Sequence, residues 1–290
     1  MGEPVEYAWT PSGSTALHRP VFVIALQGLF DMAGVATDVI DGAVERTPAE
    51  IIGRLDPDTF YDFTQHRPQV YLDGEGDRQI RWPANDLVIM RGIGRHDLVL
   101  LSGIEPDVRW RTFVELIADA VETLECEVVV TLGAVAEPIP HSRTPQVFGS
   151  TTDEQLARRL GLSRPKYQGP TGVIGVLHER LERAGVPTIS LRVGVPHYLL
   201  NARHPRSTMA LAQHLQHVLG VRIDGPDLLA EVDKWRHLHD AAVAADAQAA
   251  QFVGMLERDY DQRVESNLPS AEALAEEFER FLDERRDLDD

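Results

Sequence analysis

Residues 126–149 read CEVVVTLGAVAEPIPHSRTPQVFG, and they decide the fold class. A short β-branched run from Glu127 to Leu132 breaks at Gly133 and opens into a loop carrying Glu137, Pro138, Pro140, His141, Ser142, Arg143 and Pro145. The arrangement recurs in PTISLRVGVPHYLLNARHP. There the run Thr188–Val193 breaks at Gly194 before His197, Tyr198, Asn201, Arg203 and His204. Apolar strands that end in polar loops belong to open α/β sheets, where ligands and partners meet the crevice beyond the carboxyl ends of the strands. The same composition also suits a plainer role, with prolines stiffening crossover loops and histidines capping or solvating them.

Outward from this stretch, apolar runs alternate with helical patterns. VFVIAL (21–26) and DLVLLSG (97–103) read as buried strands, and EIIGRL (50–55) as a further strand. QVYLD (69–73), RQIRW (78–82) and DLVIMR (86–91) are separated by short turns and predict a meander. Helices are predicted around Ala36–Val44, over 109–125, after a cap at Thr171, and over 206–219. This β-α-β order predicts a mainly parallel sheet with helices on both faces. Beyond Pro226, Leu228, Val232, Trp235, Leu238, Ala242, Ala245, Ala249, Phe252, Leu256 and Tyr260 form one apolar stripe on a long acidic helix. Ser270 caps a last helix over Ala273–Leu282. The expected organisation is an N-terminal arm (1–19), an α/β/α domain (20–225) and an acidic helical C-terminal extension (226–290).

Composition narrows the function. The net charge of −18 disfavours nucleic acid, and no basic run offsets it. Residues 226–290 carry 18 acidic and 7 basic side chains, a net of −11. No apolar run approaches the ~20 residues that span a bilayer. The acidic start, MGEPVEYAWTPSG, lacks a signal pattern, so the expected location is cytoplasmic. Cys126 is the only cysteine, which rules out an internal disulfide or a cysteine zinc cluster. The phosphate loop GxxxxGK[ST] and the GxSxG elbow are absent. His178-Glu179 opens like a zinc helix, but Glu182 stands where a second histidine would be needed. No metal or other cofactor is expected.

What remains for chemistry is a set of strand-end residues: Gln27 and Asp31 after the first strand, Glu105 and Arg109 after 97–103, Glu137, His141, Ser142 and Arg143 after 127–132, and His197, Tyr198 and Asn201 after 188–193. Sharing one edge, they would hold an anionic or ribose-bearing ligand in a cleft. Equally, they would tie the loops together, since partly buried polar groups need partners. No nucleophile–base–orienter trio stands at a recognisable spacing, so no catalytic residue is assigned.

LLSGIEPDVRW (100–110), VTLGAVAEPIPHSRTPQVFG (130–149), YQGPTGVIGVLHERLERAGVPTISLRVGVPHYL (167–199) and the acidic EFERFL tail (277–282) together resemble the actinobacterial-type branch of the proteasome assembly chaperone 2 family. The resemblance runs from about Pro20 to near the end. It implies a three-layer α/β/α sandwich similar to purine nucleoside phosphorylases, a homo-oligomer (a trimer is expected) and a partner among proteasome α-subunits. Some relatives dock into α-ring pockets through a C-terminal hydrophobic–Tyr–any-residue tail; this chain ends Arg286-Asp-Leu-Asp-Asp290, so the resemblance does not lead us to expect that mechanism here. Two functions follow: a non-enzymatic assembly or interaction factor for a proteasome or related ring, or a small-molecule binder or enzyme for nucleosides or phosphorylated metabolites.

Overall fold

The computed structural model describes residues 16–200, 202–221 and 228–267. In chain order these form β1 (Val21–Gln27), α1 (Val35–Val44), β2 (Glu50–Leu55), α2 (Pro57–Phe60), β3 (Gln69–Leu72), β4 (Arg78–Arg81), β5 (Asn85–Ile93), β6 (His96–Ile104), α3 (Trp110–Thr123), β7 (Val128–Glu137), β8 (Val147–Ser150), α4 (Glu154–Leu160), α5 (Val173–Arg183), β9 (Thr188–Pro196), α6 (Pro205–Leu219), α7 (Leu228–Ala244) and α8 (Ala247–Asn267). Two compact units emerge. Among the described residues, one comprises those up to Glu137 with Thr144–Trp235; the other comprises Pro138–Arg143 with those from Arg236 to Asn267. The expected boundary at 225/226 falls in a stretch outside the described residues, as do most of the arm and the helix expected over 273–282.

The first unit holds a seven-stranded sheet in the order β2-β5-β6-β1-β7-β9-β8. Strands β6, β1, β7 and β9 run parallel, with Val21 opposite Leu98 on one side and Val128 on the other. The parallel character is confined to these four; β5, β2 and β8 join antiparallel, so the sheet is mixed. Because side chains alternate along a strand, Val21, Val23 and Ala25 face α1 and α6, where Val35, Ile40, Leu211 and Leu215 complete one core. Phe22, Ile24 and Leu26 face α3 and α5, where Phe113, Ile117, Leu177 and Leu181 complete the other. A strand covered on both faces must be apolar throughout, which is why VFVIAL reads as an unbroken run. Each such buried side chain contributes roughly 1.5–3 kcal/mol. Truncating Ile117, which is fully buried, to alanine would cost about 2–5 kcal/mol.

Four local expectations are corrected. The predicted meander divides: β3 and β4 pair only with each other as a separate ribbon, while β5 joins the main sheet against β6. Strands β7 and β9 do not end at their glycines. A Cβ at Gly133 would lie 2.9 Å from the Phe30 carbonyl oxygen, and that carbonyl accepts a 2.6 Å hydrogen bond from Ala134 N. The glycine therefore admits the β1 loop without stopping the strand. The long C-terminal stripe breaks at Ala245–Asp246, where the Asp246 carboxylate caps α8 through Gln248 N at 2.8 Å and Ala249 N at 3.2 Å. Finally, α5 begins at Val173 after Gly172, not at a Thr171 cap.

Candidate functional site

The loops beyond the parallel strands are held by their own polar residues. Asp31 is buried, and its carboxylate accepts from Ala36 N at 2.6 Å, Thr37 N at 3.2 Å and Thr37 Oγ1 at 2.7 Å. It thereby satisfies the first turn of α1, and burial raises its pKa against the pull of those donors. Glu105 performs a similar task at longer range. One oxygen accepts from Leu29 N at 3.2 Å and the other from Val173 N at 2.9 Å, so a residue 68 positions away caps α5 in place of Thr171. A carboxylate is favoured there because the amides of a helix start carry partial positive charge. Gly28, at φ 156°, and Gly172 leave room for it: a Cβ on either would lie 2.5 or 2.8 Å from a Glu105 oxygen.

The strand-end residues fall into separate sets. The Gln27 carbonyl receives Glu105 N at 2.8 Å. Arg109, exposed and at φ 57°, precedes α3 as its N-cap without a side-chain capping bond. The Glu137 carbonyl accepts both His197 N and His197 Nδ1 at 3.1 Å, and Tyr198 meets the His197 ring edge-on at 5.7 Å. Asn201 lies outside the described residues. His141, Ser142 and Arg143 belong to the second unit. Buried His141 bonds Asp240 Oδ1 through Nε2 at 3.2 Å; Ser142 Oγ donates to Glu257 Oε1. Arg143 grips Asp261 with Nε and Nη2, each at 2.8 Å. Burial lowers the His141 pKa while Asp240 pulls it back up. This loop is thus bonded to α7 and α8.

Sequence reasoning passed over an open cavity of about 1070 Å³ beyond the ends of β1 and β6. Gln27 reaches it, but Arg54, His66, Arg67, Tyr71, Arg81 and Trp82 supply most of its chemistry. They come from β2, the ribbon and the segment between, where each alone reads as ordinary surface; only the fold gathers them. His178, which opens the incomplete zinc pattern, has a structural partner instead: its Nε2 lies 2.9 Å from Thr131 Oγ1, and burial together with the Arg192 charge lowers its pKa to about 4.

Residues 25–243 match the profile of the PAC2 family. The chain belongs to the PAC2 family. Among solved PAC2 relatives, a PAC2 family protein from Streptomyces avermitilis is 38% identical, with 81% of this chain and 99% of that chain covered and a TM-score of 0.74. A Mycobacterium tuberculosis proteasome-assembly chaperone homologue is 32% identical, covering 80% of this chain and 99% of its own, with a TM-score of 0.72. An archaeal proteasome activator from Pyrococcus furiosus shares the fold at 15% identity, covering 79% and 96%, with a TM-score of 0.63. Among curated proteins, none matches this sequence. In this PAC2 chain, Cys126 is a buried thiol whose pKa burial pushes up to about 12, which keeps it protonated and unreactive. Among the described residues no helix is long and apolar enough to cross a membrane.

Proposed function

We propose that this PAC2-family chain is a non-catalytic assembly or interaction factor for a proteasome or a related ring, acting as a homo-oligomer. The observation that carries this reading is the 32% identity, over 80% of the chain, to the mycobacterial protein described as a proteasome-assembly chaperone homologue. The bonding of the strand-end loops supports it: Asp31, Glu105, Ser142 and Arg143 all spend their polar groups on backbone or side chains of the same unit. Groups committed in this way position loops and are not poised to transfer protons. The partner class is the proteasome α-subunit, and the cytoplasm is the compartment where such rings would be met.

The test is chemical cross-linking in the protein's own cells, capture of the tagged full-length chain and mass spectrometry of what comes with it. α-Subunits should be enriched, and adding purified protein to separated α-subunits should speed ring formation. Recovery of no ring subunit, with assembly unchanged on addition, would reverse the reading. Light scattering checks the oligomer, for which a trimer is expected; a monomer mass at micromolar concentration would remove that part.

A second reading, a small-molecule binder for nucleosides or phosphorylated metabolites, is favoured by one observation: the arginine-bearing cavity at the carboxyl ends of β1 and β6.

A further inference from the structure

The cavity beyond β1 and β6 combines two chemistries in a chain whose net charge is −18. Its cations are Arg54, Arg67 and Arg81, and its carboxylates are Asp41 and Asp86. Arg54 is already neutralised, holding Asp86 through Nε at 2.6 Å and Nη2 at 2.8 Å. Burial opposes the charge of Asp41, whose carboxyl also bonds Ser102. Among the described residues neither Arg67 nor Arg81 has a carboxylate partner; Arg81 lies over the Tyr71 ring, 4.9 Å from its centre. A local surplus of positive charge therefore stands inside an acidic protein, and a concave wall strengthens its field.

The second chemistry is aromatic. Trp82 is 47% exposed and Tyr71 42%, yet neither hangs loose. Trp82 meets Phe63 edge-on at 5.0 Å, and Tyr71 is covered by the Arg81 guanidinium. Both rings sit in or beside the β3–β4 ribbon, whose eight residues are all exposed. A two-stranded ribbon is marginal without something packed on it. Exposed rings next to unpaired guanidinium groups recognise flat, negatively charged ligands by stacking and charge-assisted hydrogen bonds.

We infer that this cavity is a binding site for a small organic anion bearing a planar ring, of the nucleotide class, read by Arg67 and Arg81 on its charge and by Trp82 and Tyr71 on its ring. The inference stands apart from the proteasome reading: a ring-assembly factor with such a site would carry a ligand, and a ligand binder without a ring partner would still use it.

The test is calorimetric titration of the full-length protein with AMP, GMP, CMP and UMP, with adenosine and inorganic phosphate as half-ligands. At least one monophosphate should bind saturably, with adenosine and phosphate each about tenfold weaker or worse. The double variant Arg67→Ser/Arg81→Ser changes only exposed side chains. It should keep the wild-type melting temperature and lose nucleotide affinity by about tenfold or more. Trp82→Ala should weaken nucleotide and adenosine together. Bound nucleotide should also slow amide exchange across residues 69–82. Failure of all four monophosphates to saturate at millimolar concentration would overturn the inference. So would phosphate binding as well as a nucleotide does, or affinity unmoved by the double arginine variant. Should Trp82→Ala unfold, Trp82→Leu, which keeps apolar bulk but no ring, takes its place with the same two outcomes.

Discussion

The Arg143 guanidinium clasps the Asp261 carboxylate in a two-point fork, Nε to Oδ1 and Nη2 to Oδ2 at 2.8 Å each, across 118 positions of sequence. Nη1 adds a 3.4 Å contact to Glu257. A loop arginine that reads as a ligand donor is, in the fold, the clamp of the helical unit.

Arg143→Ala should therefore loosen α8 locally. The pair is largely solvent-exposed, so the effect is modest: amide exchange over 247–267 should quicken by no more than roughly fivefold. Arg143→Lys should not restore protection, because one ammonium cannot make the fork. Hydrogen-exchange mass spectrometry of α8 peptides decides it; unchanged exchange in both variants would deny the clamp.

Glu105 accepts from two backbone amides, Leu29 N in the β1 loop and Val173 N at the start of α5. Glu105→Ala should cost about 2 kcal/mol, read as a lower urea midpoint at constant slope. Gly28→Ala should be at least as damaging, since its Cβ would sit 2.5 Å from the Glu105 carboxylate. A Glu105→Ala protein as stable as wild type would remove the tie.

His178 makes stability depend on pH. Its folded pKa lies near 4, below the ordinary 6.5, so the folded state resists the proton that the unfolded chain accepts. The stabilising contribution is complete above about pH 6.5 and is lost as pH falls toward about 4; acidifying from about pH 7 to about pH 5 should remove roughly 2 kcal/mol. Thermal melts of His178→Gln over that range should show a shallower decline. An identical slope in wild type and variant would mean that other groups carry the effect.

Asp31→Ala should unseat the start of α1, stranding Ala36 N and Thr37 N in a buried position, while the Thr37 hydroxyl keeps the Gly34 carbonyl as an acceptor at 3.1 Å. The expected loss is about 2–3 kcal/mol, and Asp31→Asn should recover part of it by keeping one acceptor oxygen. Chemical denaturation of the pair of variants is the measurement.

The central strands were legible because burial on both faces writes itself as an unbroken apolar run, as in Val21–Leu26. Gly133 was not, because whether a glycine ends a strand or admits another backbone depends on Phe30, which no local pattern places beside it. The loop residues stand out in the sequence as polar, but nothing there names their partners. Asp240, Glu257 and Asp261 look like any solvated carboxylates on an acidic helix until the fold brings His141, Ser142 and Arg143 to them. Arg67 and Arg81 carry no local signal for the complementary reason: what sets them apart is that, among the described residues, no carboxylate pairs with either.

The helical unit also sets a schedule. Its first segment, Pro138–Arg143, leaves the ribosome 99 residues before Asp240 and 118 before Asp261. At cellular translation speeds of about 5–20 residues per second, that last gap lasts roughly 6–24 s. The central strands β1, β6 and β7 are all complete before the loop emerges, so the sheet can begin to form while His141 and Arg143 wait for partners that do not yet exist. Closure of this unit therefore trails the start of the sheet, and slow codons in the stretch encoding α7 would lengthen the wait without altering a single contact in the finished protein.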